Sequence, residues 1–191
     1  MMSTVPAFAA AGDPIATTDA GQGTIQFTGS VIDAPCSIVP NDQNIQVNLG
    51  QVSLKTLSGA DKTSSAVPVT INLTGCSFDE PASGSTTVQY SKVSVTFPDA
   101  HTPEHGDATK GEIANSATNP AENVVIQLLK SDASTPVDLT KTPSATDADN
   151  IQLDSTSSTN KLQFYARMMT ITGAAKAGSV GATVTYKLHY F

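Results

Sequence analysis

The chain is expected to be all-β, a sandwich of the immunoglobulin-like kind, and three observations lead there. Apolar stripes that alternate with period two recur along the sequence, including one at each end. Seven or more such segments are separated by turn-prone residues, and no convincing amphipathic helix lies between them. The 191 residues suit one sandwich or two very small domains, and no break in composition supports two.

Near the N-terminus, Gly23, Ile25, Phe27, Gly29 and Val31 share one face, while Thr24, Gln26, Thr28 and Ser30 share the other. A first strand is therefore expected over Thr24–Val31. Residues Gly12 to Gln22 are small, polar and turn-prone, and read as a mobile arm. Asp33-Ala34-Pro35 breaks the strand, Cys36 to Val39 resumes extended structure, and Pro40-Asn41-Asp42 turns. Ile45 to Leu49 reads as a short alternating strand ended by Gly50, and Ser58 to Ser65 as loop.

Val67, Val69, Ile71 and Leu73 alternate with Thr70, Asn72 and Thr74, a strand leading to Cys76. Val88 to Phe97 is the next strand, with a register shift allowed near Ser91-Lys92. Pro98 to Asn123 is a long polar connection with room for one short strand. Val124 to Lys130 is a run of β-branched residues and Leu that fits a central strand, or a helical turn. Short strands are expected at Val137–Leu139 and Ile151–Leu153. Leu162, Phe164, Ala166 and Met168 alternate with Gln163, Tyr165, Arg167 and Met169. Gly173 to Gly178 is a loop. A last strand is expected from about Gly181 to Phe191, with Val184, Tyr186, Leu188 and Tyr190 on one face.

A strand at a chain's tip must pair with something, either the chain itself or another molecule. Periodicity alone favours pairing within one chain, which would make a complete sandwich that binds nothing.

Composition narrows the function. A net charge of −7 argues against nucleic acid or an anionic membrane as partner. Charged residues make up only 14%, too few for a disordered acidic chain. The two cysteines, Cys36 and Cys76, match no CxxC spacing, so they are a disulfide or reactive thiols. As a disulfide they would close a loop of about forty residues, worth roughly 3–4 kcal/mol by chain entropy, and would place the protein in an oxidising compartment. Ala7-Phe8-Ala9 fits a secretory cleavage pattern, so residues 1–9 read as a signal-peptide remnant, or as an ordinary flexible N-terminus.

No catalytic constellation stands out. His101, Glu104, His105 and Asp107 cluster, and two His four apart would suit a metal on a helix, but Pro103 and Gly106 argue for loop. There is no G-x-S-x-G elbow and no Gly-rich phosphate loop. Asn72-Leu73-Thr74 matches a glycosylation sequon. No catalytic residue, metal or cofactor is expected.

The run from Gly23 through Phe27 and Pro35 to Cys36 resembles the N-terminal motif of chaperone–usher pilus subunits, the pilins, above all the major rod subunits of P and type 1 pili. Leu49-Gly50-Gln51-Val52, Cys76-Ser77-Phe78, the penultimate Tyr190 and Gly178, fourteenth from the end, are similar to that family in order. The resemblance covers essentially residues 10–191 and reverses the preference for a self-contained sandwich.

It implies an immunoglobulin-like sandwich that lacks its last strand, with residues 10–31 as a donor arm and 32–191 as the pilin domain. The missing strand would be supplied first by a periplasmic chaperone, then, at the outer-membrane usher, by the next subunit's arm. Gly23, Ile25, Phe27, Gly29 and Val31 would insert, with Ile25 and Phe27 deepest, Gly29 where no Cβ fits, and Val31 where exchange begins. Gly178, Val184, Tyr186, Leu188 and Tyr190 would line the acceptor groove, and the chaperone would grip the carboxylate of Phe191. The partners implied are copies of this chain, other pilus subunits, chaperone and usher, in an extracellular pilus. A minor tip or adaptor subunit and a carbohydrate-binding module are the alternatives.

Overall fold

In the computed structural model, residues 23–80, 83–86 and 88–191 are described. The chain divides into two compact units, Met1–Val31 and Ile32–Phe191. In the first unit, residues 23–31 carry no strand, and Ile25 and Phe27 are 77% and 87% exposed. The strand expected over Thr24–Val31 is thus not formed. Alternation marks two faces, but a strand also needs a neighbour for its backbone groups. The cleavage pattern and the expected arm over Gly12–Gln22 lie outside the described residues.

The second unit is built of antiparallel sheets. Its strands are β1 (Ser37–Ile38), β2 (Val67–Thr74), β3 (Lys92–Thr96), β4 (Glu112–Ile113), β5 (Val124–Leu129), β6 (Ile151–Gln152), β7 (Thr159–Thr170) and β8 (Lys187–Tyr190). One sheet has the order β1-β2-β7-β5-β4 and the other β6-β3-β8. Strand β7 is the axis of the larger sheet. It pairs with β2 over eight residues and with β5 over six, from Val67↔Ala166 and Val124↔Thr170. Its inward row, Leu162, Phe164, Ala166 and Met168, is buried as the alternation predicts. All six residues of β5 are buried; five are apolar, and Gln127 is accommodated because its side-chain amide donates to the Lys110 carbonyl and accepts from Arg167. From the smaller sheet, Val93 on β3 and Leu188 and Tyr190 on β8 face the same core.

The Cys36–Cys76 disulfide joins the chain just before β1 to the chain just after β2. Since β1 and β2 are neighbours, the bridge links adjacent early strands.

Several expected strands are absent or shorter. Residues 45–49 carry no strand, although Ile45, Val47 and Leu49 are half-buried and Gln46 and Asn48 exposed, as the alternation requires. The last strand is confined to β8, and residues 181–186 belong to no strand ladder. Val137–Leu139 is no strand because its amides go to different partners: Val137 N–H donates to Leu128 and Leu139 N–H to Ala108. Residues 88–91 turn, with Tyr90 in the left-handed region (φ 57°) and the Ser91 hydroxyl donating to the Val88 carbonyl, so β3 starts only at Lys92. Pro40–Asn44 is a short 3-10 helix rather than a simple turn.

Candidate functional site

A cleft of about 1130 Å³ opens in the second unit between two segments of chain that no strand joins. Residues 43–52 form one wall and residues 175–186 the other. The floor is the sandwich core itself, including Ile71, Phe97, Ile126, Leu128, Phe164 and Met168. Phe97 and Phe164 meet there edge to face, 6.0 Å between centroids.

The second wall is held firmly on its far side. Ser179 N–H donates to Asn119 and its carbonyl accepts from Ala121 (2.9 and 2.8 Å). Gly181 N–H donates to the Asn115 side chain, and its carbonyl accepts from Ser116. Thr185 donates its N–H and its hydroxyl to the two carboxylate oxygens of Asp99, both at 2.6 Å. These hydrogen bonds hold the Asp99 carboxyl below the usual carboxylate range. In an extended chain, alternate residues turn their backbone groups to opposite edges. Residues 179, 181 and 185 serve the far edge, so Val180, Ala182 and Val184 turn theirs toward the cleft. Among the described residues those three make no backbone hydrogen bond, and neither do Ile45, Val47 and Leu49 opposite.

Gly178 fits the wall where no other residue would. A Cβ there would meet the Pro120–Ala121 backbone at 2.5–2.7 Å. This contact sets the start of the wall beside the parallel bridge Pro120↔Ser179.

Tyr186 closes the far end. Its hydroxyl donates to the Asp42 carbonyl (2.7 Å), and the Asp42 carboxylate accepts from the Asn72 backbone and side chain (2.6 and 2.8 Å). Burial, then the nearby Asp42 carboxylate, raises the Tyr186 phenol. Beyond it a second cleft, about 650 Å³, lies between residues 32–38 and 186–190. Tyr190 lines that smaller cleft, and its buried hydroxyl has no hydrogen-bond partner among the described residues. Burial, with a smaller effect from Tyr186, pushes its pKa up to about 12.

Of the expected groove residues, Gly178, Val184 and Tyr186 line the main cleft. Leu188 and Tyr190 do not: they belong to β8, pack on the core and face the smaller cleft. Phe191 is tied to Lys92 by two backbone hydrogen bonds, at 2.9 and 3.0 Å. The wall over 43–52 was missed as part of the site. Its alternation was legible, but read as an ordinary strand it pointed to no opening.

The His101–Asp107 stretch is irregular, with His105 left-handed (φ 65°) and Asp107 capping Thr109. Among the described residues no group of three metal-ligating side chains converges. The His189 ring shares a 2.9 Å hydrogen bond with the Thr96 hydroxyl on the outer face of the smaller sheet.

The fimbrial protein family model matches residues 25–190. The chain is 35% identical to the major MR/P fimbria protein of Proteus mirabilis, over 90% of this chain and 86% of that one. It is 34% identical to the type 1 fimbrial subunit of Klebsiella pneumoniae (91% and 86%) and 33% to the type-1 fimbrial protein A chain of Escherichia coli (95% and 89%). Among solved structures, a subunit of a chaperone–usher pilus superposes with TM-score 0.67 at 22% identity, covering 92% of this chain and 99% of that one. The P pilus rod subunit PapA superposes with TM-score 0.59 at 20% identity (83% and 100%). At that identity the two structures speak for the fold, an all-β pilin sandwich. The chain belongs to the fimbrial protein family, the exported structural subunits of pili.

Proposed function

We propose that this chain is the repeating rod subunit of an extracellular pilus, and that copies join when residues 23–31 of one insert into the main cleft of the next. The observation that carries the reading is the cleft itself. Two walls with unpaired backbone edges flank an apolar floor, which is the space of one missing strand. The complementary strand is at hand: Gly23, Ile25, Phe27, Gly29 and Val31 share one face, and Ile25, Phe27 and Val31 stand exposed. Burying Ile25 or Phe27 would stabilise a joint by roughly 1.5–3 kcal/mol each. A periplasmic chaperone would fill the cleft until the usher presents the next arm, and would hold the Phe191 carboxylate. The rod position is supported by one relative named as a major fimbria protein, that of Proteus mirabilis.

Phe27→Asp is the test. The variant should bind chaperone as the wild type does, yet yield no filaments by negative-stain electron microscopy and no ladder on unboiled SDS gels. Normal fibres from that variant would sink the assignment. Filaments bearing one copy at the tip would make the chain an adaptor.

A further inference from the structure

The groove along the second wall is divided. Tyr186 and Ile38 line both the main cleft and the smaller one beyond it. The Tyr186 hydroxyl reaches from one wall to the Asp42 carbonyl, in the 3-10 helix that leads into the other wall. That helix cannot easily yield. The Asp42 carboxylate is bound twice to Asn72 of β2, and the Val39 N–H donates to the Asn72 carbonyl (3.0 Å). Tyr186 therefore lies as a bar across the groove, hydrogen-bonded to a pinned turn.

The bar falls at a telling distance. Counted from Gly178, where the wall is set against the Pro120–Ala121 backbone, to Tyr186 there are nine residues, and from Gly23 to Val31 the exposed alternating segment is also nine. Each spans about 30 Å when extended. Beyond the bar the character of the groove changes. Strand β8 is already paired to β3 on one side, and the smaller cleft holds Tyr190, whose buried phenol has no hydrogen-bond partner among the described residues.

We propose that Tyr186 is a length-setting residue: with its bond to Asp42 made, the groove accepts a nine-residue strand from a second copy of this chain, and a longer strand must break that bond. The inference rests on the donor-strand reading above. Tyr186 acts by position. It fixes where the occupant stops, and a strand that continues beside β8 displaces it and brings a polar partner to the Tyr190 hydroxyl.

The test uses the full chain with tyrosine labelled by carbon-13 at the ring ζ position, assigned with Tyr186→Phe. Two peptides are added: residues 23–31 alone, and the same segment lengthened by two further apolar–polar repeats at one end or the other. The short peptide should bind and leave the Tyr186 resonance in place, whereas a peptide lengthened toward β8 should shift it. Tyr186→Phe should strengthen only the longer peptide, on the order of three- to tenfold, the worth of one hydrogen bond. A Tyr186 resonance that shifts equally with both peptides would overturn the proposal. So would a variant that strengthens both alike. Should Tyr186→Phe fail to fold, Asp42→Ala, which frees the turn that accepts the Tyr186 hydroxyl, supplies the assignment by the resonance it moves. If neither peptide binds the wild-type chain, the donor-strand reading itself falls.

Discussion

Strand β7 and the C-terminal segment 178–191 carry the same kind of stripe, yet they end in different states. The inward residues of β7 are buried, and its two edges are taken by β2 and β5. The C-terminal segment buries its apolar row less completely and is paired as a strand only over Lys187–Tyr190. Over residues 179–185 one edge is anchored to Asn115–Ala121 and Asp99, while the other faces the cleft. A period-two stripe thus records which face meets the core. Whether the edges are paired depends on what lies beside them, and along residues 45–49 and 180–184 the position beside them is open.

The contrast can be broken most forcefully at the core of β7. Leu162, fully buried, should cost about 3–5 kcal/mol when replaced by Ala, read from denaturant unfolding. Leu49→Ala, on the half-buried wall, should cost much less in the free subunit, yet weaken joints between copies in heat-dissociation assays. Equal losses of stability at the two sites would erase the distinction between closed core and open wall.

Gly178→Ala tests how the wall is placed. The added methyl meets the Pro120–Ala121 backbone, so the wall must shift, at a cost of about 1–3 kcal/mol and with slower binding of the 23–31 peptide. Unchanged stability and binding rate would mean that this approach does not position the wall.

The smallest effect is expected at Asp99. Its carboxyl is held below its ordinary value by the Thr185 hydroxyl, then by the Thr185 amide. A depressed carboxyl pKa means the folded state favours the ionised form. The contribution is therefore complete above the unfolded pKa near 4 and is lost as pH falls through the lower folded value. Carbon-13 titration of Asp99 should show a midpoint below 3.8, and Asp99→Asn should raise amide exchange at Thr185 without unfolding the protein. A midpoint at or above 3.8 would refute the anchoring.

Much of this was legible in the residues. Strands β2 and β7 are plain in the sequence because both their faces and their partners lie within the chain, and β5 resolves to the strand rather than the helical turn its residues also allow. Cys36 and Cys76 form a disulfide, the first of the two readings their spacing allows. The expected strands at 24–31, 45–49 and 181–186 had the right faces without the pairing, since alternation carries no information about a neighbour. The resemblance implies one groove for Val184, Leu188 and Tyr190, and a single stripe runs through all of them. The Tyr186–Asp42 bond divides that stripe, and it joins residues 144 apart in sequence. No local pattern marks such a contact.

The disulfide has a mechanical consequence. Cys36 lies five residues beyond Val31 and is almost completely buried. Tension applied through residues 23–31 reaches Cys36 first, then crosses directly to Cys76 at the end of β2. The intervening loop, which would be drawn out to about 130 Å if it unravelled, is bypassed. A fibre pulled through such a subunit would lengthen by freeing joints or unpacking strands, while the segment that builds the first wall of the cleft stays off the line of force.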